Sequence, residues 1–276
     1  MSKHLGHGPL GEQVSYPGQY DPNCLHPIPR QDGRAGLGVK GELPFVGVDV
    51  WNAYELSCLN EKGKPIVACA EFRIPAQSPN IIESKSFKLY LNSFNQTRLA
   101  GLDAMTQLLQ RDLSAAAGSD VLVTIHPPGT WQESHGIIEP QGHCIDDLDI
   151  SIETYQPAAT LLSANTSDVV EEALFSHLLR SRCPVTSQPD WASIEIDYRG
   201  PRIDREGLLA YLVSFREHDD FHEHCVEQIF SDIKQCCTPE KLTVYARYLR
   251  RGGLDINPWR STDVLAKPQN SRGARQ

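Results

Sequence analysis

Tyr90-Leu91-Asn92-Ser93-Phe94 in the first half of the chain is answered by Tyr211-Leu212-Val213-Ser214-Phe215 in the second. One element earlier, Glu71-Phe72-Arg73 is answered by Asp197-Tyr198-Arg199. From Arg73 to Tyr90 is 17 positions and from Arg199 to Tyr211 is 12, a difference of five that one loop absorbs. Two matches in the same order, inside similar predicted elements, indicate a duplicated α+β unit. The expected organisation is an irregular arm over residues 1–45, rich in Gly, Pro and His, a first module over 46–150 and a second over 151–276.

Outward from the repeat, Val48 to Leu59 and Pro65 to Ile74 mix β-branched, aromatic and polar residues around Glu61-Lys62-Gly63-Lys64, which predicts a β-hairpin. Asn95 is a cap candidate for a helix carrying Leu99, Leu102, Met105, Leu109 and Leu113, and Asp120 to His126 reads as a strand. Pro127-Pro128-Gly129 and Pro140-Gln141-Gly142 mark the boundary region, and Ile150 to Tyr155 reads as a strand. A helix is expected over Asp168 to Arg180, capped by Thr166 or Ser167, then a strand over Trp191 to Arg199. Asp219 or Asp220 caps a helix with Val226, Ile229, Phe230 and Ile233 on one stripe, and Leu242 to Leu249 alternates as a strand. Gly33-Arg34-Ala35-Gly36-Leu37-Gly38 departs from the Gly-x-Gly-x-x-Gly order and follows no strand, so it reads as a flexible turn.

The two halves differ in chemistry. Cys183-Pro184-Val185-Thr186-Ser187-Gln188-Pro189-Asp190 holds a thiol and a carboxylate on a loop whose two prolines fix φ and disfavour helix before them. A thiol with an ordinary pKa of about 8.5 needs a cationic or hydrogen-bonding neighbour to react near neutrality, and Arg182 is adjacent. The bland alternative is a buried structural thiol and a loop carboxylate. His222, one turn before Val226, reads by itself as a core histidine; Lys85 and Lys88 read equally as a solvated strand face, and Arg250 and Arg251 as a basic strand end. The first half has no counterpart of Cys183 before its strand, and the second replaces the lysine stretch with Arg205-Glu206-Gly207-Leu208-Leu209, so neither half carries every group.

Apolar residues at 40% and charged residues at 22% fit a soluble globular chain, and a formal charge of −9 argues against a nucleic-acid phosphate binder. No apolar run approaches the about 20 residues of a membrane span, and Met1-Ser2-Lys3-His4 begins no signal-peptide core. A cytoplasmic protein with its eight cysteines reduced is expected.

The Cys183–Asp190 segment resembles the active-site segment of NADPH-dependent nitrile reductases that convert 7-cyano-7-deazaguanine to 7-aminomethyl-7-deazaguanine on the route to the tRNA nucleoside queuosine. Glu83-Ser84-Lys85-Ser86-Phe87-Lys88-Leu89-Tyr90, Phe221-His222-Glu223-His224-Cys225 and Arg251-Gly252-Gly253-Leu254-Asp255-Ile256-Asn257-Pro258 resemble the same family, in its longer two-module branch. The resemblance implies tandem tunnelling-fold modules, antiparallel sheets with helices on one face, related to GTP cyclohydrolase I. It implies Cys183 as nucleophile forming a thioimide and Asp190 as general acid. It places substrate contacts at Ile82, Glu83, Ser84, His222 and Glu223, NADPH contacts at Ser84, Lys85, Arg251 and Gly252, no metal, and a homodimer. Glu223 is the first choice to accept the paired N–H donors of the guanine-like base, with Glu83 second. Two other classes stay open: a zinc enzyme of cyclohydrolase type using Cys183, His222, His224 and Cys225, whose spacing is not a standard ligand pattern, and a non-catalytic purine- or pterin-binding module.

Overall fold

The structure, a computed structural model, describes residues 16–37, 42–131 and 136–276. Met1 to His4, most of the arm's start and Gly38 lie outside the described residues. The chain forms two compact units: Met1–Asp32, Asp49–Gly136 and Arg250–Asp255 make the first, and Gly33–Val48, Ile137–Leu249 and Ile256–Gln276 the second.

In the first unit, β1 (Pro27–Pro29) pairs antiparallel with β4 (Asn80–Ile82), so this part of the arm is ordered rather than irregular. Arg30, which opens the short helix α1 (Arg30–Arg34), is 1% exposed and paired at 2.5 Å with the equally buried Asp49. The expected hairpin is β2 (Val46–Leu59) and β3 (Pro65–Pro75), whose turn closes through the Asn60 N–H to Lys64 O at 2.9 Å. β5 (Leu122–His126) runs antiparallel along the other side of β3.

Between them lie two helices where the sequence pattern suggested one. α2 (Ser84–Ser93) contains Lys85 and Lys88, which therefore lie on a helix and not on a strand face. α3 (Leu102–Ala117) begins after Gly101, so Asn95 and Leu99 precede it; Met105, Leu109 and Leu113 form its buried stripe as the spacing predicts.

The second unit has the strand order β11 (Leu254–Ser261, from Ile256 onward in this unit), β10 (Lys241–Tyr248), β9 (Pro189–Ile203), β7 (Ala164–Ser176), β6 (His143–Cys144). β8 (Arg180–Arg182) also pairs with β9. The pairing is antiparallel except between β6 and β7. The helix expected over Asp168 to Arg180 is a strand: Glu171-Glu172-Ala173-Leu174 favours helix locally, but β7 pairs through this whole stretch with β9, and cross-strand pairing overrides propensity. Ile150 to Tyr155 forms no strand. α4 (Arg205–Ser214) was not legible in the sequence, whereas α5 (His222–Cys237) carries Val226, Ile229, Phe230 and Ile233 fully buried toward Leu242, Val244 and Ala246 of β10. Its N-cap position is Phe221, and Asp220 accepts the Phe221 N–H at 2.7 Å instead of capping the helix interior.

The duplication extends to hydrogen bonds. Tyr90 Oη donates to Asp112 at 2.8 Å and Tyr211 Oη to Asp232 at 2.6 Å; Ser93 and Ser214 each bond the carbonyl of that tyrosine at 2.6 Å. Glu83 caps α2 and Asp204 caps α4, while α3 and α5 end on left-handed residues, Gly118 (φ 70°) and Thr238 (φ 49°). The fold is α+β, antiparallel strands carrying helices, with the same tyrosine and serine bonds repeated in the two halves of the chain.

Candidate active site

Cys183 and Asp190 belong to one β-hairpin. β8 pairs with β9 through Ser181↔Asp190 and Arg182↔Pro189. Beyond this ladder the Cys183 N–H donates to Gln188 O at 3.0 Å and the Ser187 N–H returns to Cys183 O at 2.9 Å. Pro184 and Pro189 suit a turn that needs no N–H at either position. Ser187 sits at φ 53°, in the left-handed region. Arg182, the cation beside the thiol in sequence, forks onto Asp219 at 2.9 and 3.0 Å. Cys183 is 9% exposed and Asp190 4%.

Asp190 faces the start of α5. Its Oδ1 lies 3.6 Å from His222 Nε2, and the His222 ring stands edge-on to Tyr248 with centroids 4.1 Å apart. The fold thus turns a histidine of the apolar stripe toward the acid. Glu223, 2% exposed, lies in the first turn of the same helix, where the positive end of the helix dipole favours a carboxylate. Tyr248 and Ser181, close to Asp190, were not singled out from sequence, because alternate positions on two strands distant in the chain give no local signal.

The neighbours in the histidine motif do other work. Burial acts to lower the His224 pKa, yet its 3.1 Å hydrogen bond to Asp220 and the charges of Asp220, Glu227 and Glu223 bring it above the ordinary value. Burial acts to raise Asp220, and His218, His224 and the Phe221 N–H together pull it well below the usual carboxylate range. The signs are opposite. Asp220 stabilises the fold above its ordinary pKa of about 3.9 and loses that contribution as pH falls through its depressed value, while His224 contributes below about 6.5 and loses it as pH rises through its raised value. Asp220→Asn is therefore expected to lower the His224 pKa in a histidine NMR titration; an unchanged midpoint would break the assignment. His224 also explains Gly33, since a Cβ there would stand 2.2 Å from its ring. Cys225 is fully buried, and burial together with the Asp220 charge drives its thiol pKa far up, which disfavours it as a nucleophile. Among the described residues no three His, Cys, Asp or Glu side chains converge as a metal site.

The remaining candidates lie in the first unit. Glu83 is 3% exposed, and its two oxygens accept the Lys85 N–H at 2.8 Å and the Ser86 N–H at 2.7 Å, so much of this carboxylate is committed to capping α2. Burial raises its pKa against those two N–H groups and the Lys88 charge. Glu83→Ala is expected to cost about 0.5–2 kcal/mol in urea unfolding and Glu83→Gln less, as for other lost caps. An unchanged midpoint in the alanine variant would disprove the capping role. Ile82, 2% exposed, is held by its pairing with Pro27, and Ser84 opens α2.

Arg251 flanks the two-residue turn Gly252-Gly253, closed by the Arg251 N–H to Leu254 O at 2.9 Å, with Gly252 at φ 57° and Gly253 at φ 75°. Asp255, 1% exposed, anchors that turn by accepting from Asn52 at 2.7 Å and Tyr54 at 2.6 Å. A Cβ at Gly252 would stand 3.3 Å from Lys88 Cδ and 3.8 Å from its Nζ, so an ammonium lies beside bare backbone. Arg250 instead lies over the Tyr54 ring at 4.9 Å. The first unit thus groups Lys88, Arg251 and Gly252, and the second groups Cys183, Asp190 and His222.

Two family models match this chain, one described as nitrile reductase, 7-cyano-7-deazaguanine-reductase N-terminal, over residues 16–125, and one described as QueF-like protein over residues 189–267. The chain is similar at 58% identity over 272 residues to a protein of Bordetella avium, with 99% of each chain covered. A protein of Chromobacterium violaceum is 57% identical over 98% of this chain and 97% of its own, and one of Chromohalobacter salexigens 54% over 99% and 98%. All three are named NADPH-dependent 7-cyano-7-deazaguanine reductase.

Proposed function

The chain belongs to the family of NADPH-dependent 7-cyano-7-deazaguanine reductases, and from that premise we propose that Cys183 and Asp190 carry the reduction of the nitrile. The activity is that of an NADPH-dependent nitrile oxidoreductase, with 7-aminomethyl-7-deazaguanine as the amine expected on the queuosine route. The observation that carries the assignment of roles is the hairpin: backbone bonds at 3.0 and 2.9 Å fix the thiol turn, and one strand step beyond it sits a buried carboxyl.

The Cys183 sulfur adds to the electrophilic nitrile carbon, its proton passing to nitrogen, to give a thioimide. NADPH, when bound, supplies one hydride to each of two successive C=N bonds. Asp190 delivers a proton to nitrogen at each reduction, with His222 beside it to replenish the carboxyl. After the first reduction the C–S bond breaks as nitrogen's lone pair forms the imine, and the sulfur recovers its proton. Glu223 accepts the paired N–H donors of the base, and Ile82, Ser84, His222 and the unspent lone pairs of Glu83 complete its contacts. The bare Gly252 backbone beside Lys88 and Arg251 fits a cofactor phosphate, with Ser84 and Lys85 at the start of α2. Neither half of the sequence carries every proposed group, so either half expressed alone is expected to be inactive.

No helix among the described residues is long and apolar enough to cross a membrane. We place the enzyme in the cytoplasm as a homodimer that binds no nucleic acid directly, in keeping with its negative charge. The deciding experiment mixes the protein with 7-cyano-7-deazaguanine and NADPH and follows the reduced-nicotinamide absorbance, before and after exhaustive chelation. Two cofactor molecules oxidised per amine, with the rate intact after chelation, is the expected result. Activity lost together with stoichiometric zinc would favour the cyclohydrolase-type reading, and binding without oxidation the non-catalytic one.

A further inference from the structure

The second unit carries an open-mouthed cavity of about 480 Å³ on the face of β9 and β10 turned away from α5. Strand alternation builds it: Ser193, Glu195 and Asp197 of β9 and Thr243, Tyr245 and Arg247 of β10 line it, while the residues between them are buried toward the helix. None of Cys183, Asp190, His222 or Glu223 lines it. Its volume suits a ligand of heterocycle size, within the about 300–1,000 Å³ of small-molecule sites.

Glu195 and Asp197 stand two positions apart on one strand, about 6.6 Å along the backbone, and face the same space. Burial and the Asp197 charge push Glu195 up to about 6, against Arg247, and burial raises Asp197. One guanidinium cannot neutralise two ionised carboxylates. Arg247, 4% exposed, donates Nε to Gln276 Oε1 at 3.1 Å and Nη1 to Tyr245 and Asn270, while its Nη2 is buried with no hydrogen-bond partner among the described residues. Of the other bordering cations, Lys267 is solvent-exposed and Arg275 donates to the His177 and Ala192 carbonyls at 2.8 and 3.3 Å. Trp259, 5% exposed, pairs across the strands with Tyr245 and supplies a flat apolar wall.

These features ask for a positive charge between the carboxylates, a flat body against the indole, and an acceptor for Nη2. We propose that this cavity is a binding site for a small aromatic amine in its cationic form, separate from the Cys183 hairpin. This goes beyond the reductase reading and does not depend on it.

Isothermal titration of the full chain with benzylamine and with its neutral analogue benzyl alcohol, above the titration of Glu195, tests the site. The amine is expected to bind about ten-fold or more tighter than the alcohol, a difference that one buried charge contact supplies. The double variant Glu195→Gln, Asp197→Asn is expected to lose that preference while keeping its nitrile-reduction rate. Equal binding of amine and alcohol by the unaltered chain overturns the proposal whether or not the variant folds. So does an undiminished preference in the variant, which would put the amine elsewhere.

Discussion

Cys183→Ala is expected to lower nitrile reduction by at least about 10³-fold while still binding the nitrile base, because Glu223 is untouched and only the covalent step is lost. Mass spectrometry of the denatured protein should find the thioimide adduct on the unaltered chain and none on the variant. Asp190→Asn keeps the shape of a side chain that is 4% exposed on β9, so slow adduct formation should survive. Reduction should then fall by about 10²–10⁴-fold, the range of a lost general acid, since an amide is a poor proton donor. Single-turnover rates separate the two steps. An adduct persisting in Cys183→Ala, or one mapped to Cys225, would show that the wrong thiol has been assigned.

The largest expected effect on stability is at Glu227, which has no part in the chemistry. Its carboxylate is fully buried and accepts both Arg34 Nε and Nη2, at 2.8 and 2.7 Å, and Arg260 Nε and Nη2, at 3.1 and 2.8 Å. Two guanidiniums share one carboxylate, and the Arg260 side chain is itself 0% exposed. Removing the acceptor takes the shared carboxylate from both guanidiniums, and breaking a buried ion pair costs about 3–5 kcal/mol. Glu227→Ala should therefore shift the urea midpoint of the chain strongly downward, and Glu227→Gln by less. A loss below about 1 kcal/mol in the alanine variant would mean that the triad contributes nothing net, as some buried ion networks do.

Local information carried a good part of this protein. The paired Tyr-x-x-Ser-Phe stretches announced the duplication because each closes a helix through the same serine-to-carbonyl bond and the same tyrosine-to-aspartate bond. The stripe Val226, Ile229, Phe230, Ile233, the β2–β3 hairpin and the stiff Cys183–Asp190 turn were legible for the same reason, since periodicity and proline act within a few residues. The family was legible from four short motifs. Tertiary structure decided the rest. Residues 168–176 became strand because β9 offers a full ladder to a segment whose own preference is helical, and Glu83 became a cap because a helix begins where the sequence suggested strand. Gly33 reads as a loop glycine until His224 is laid against it, and Glu227 as a surface helix carboxylate until Arg34, 193 positions away, and Arg260, 33 positions away, close on it. No window of sequence contains such partners: a buried charge or a missing Cβ is specified by whatever the folded chain brings to it, and that is set only when the whole core packs.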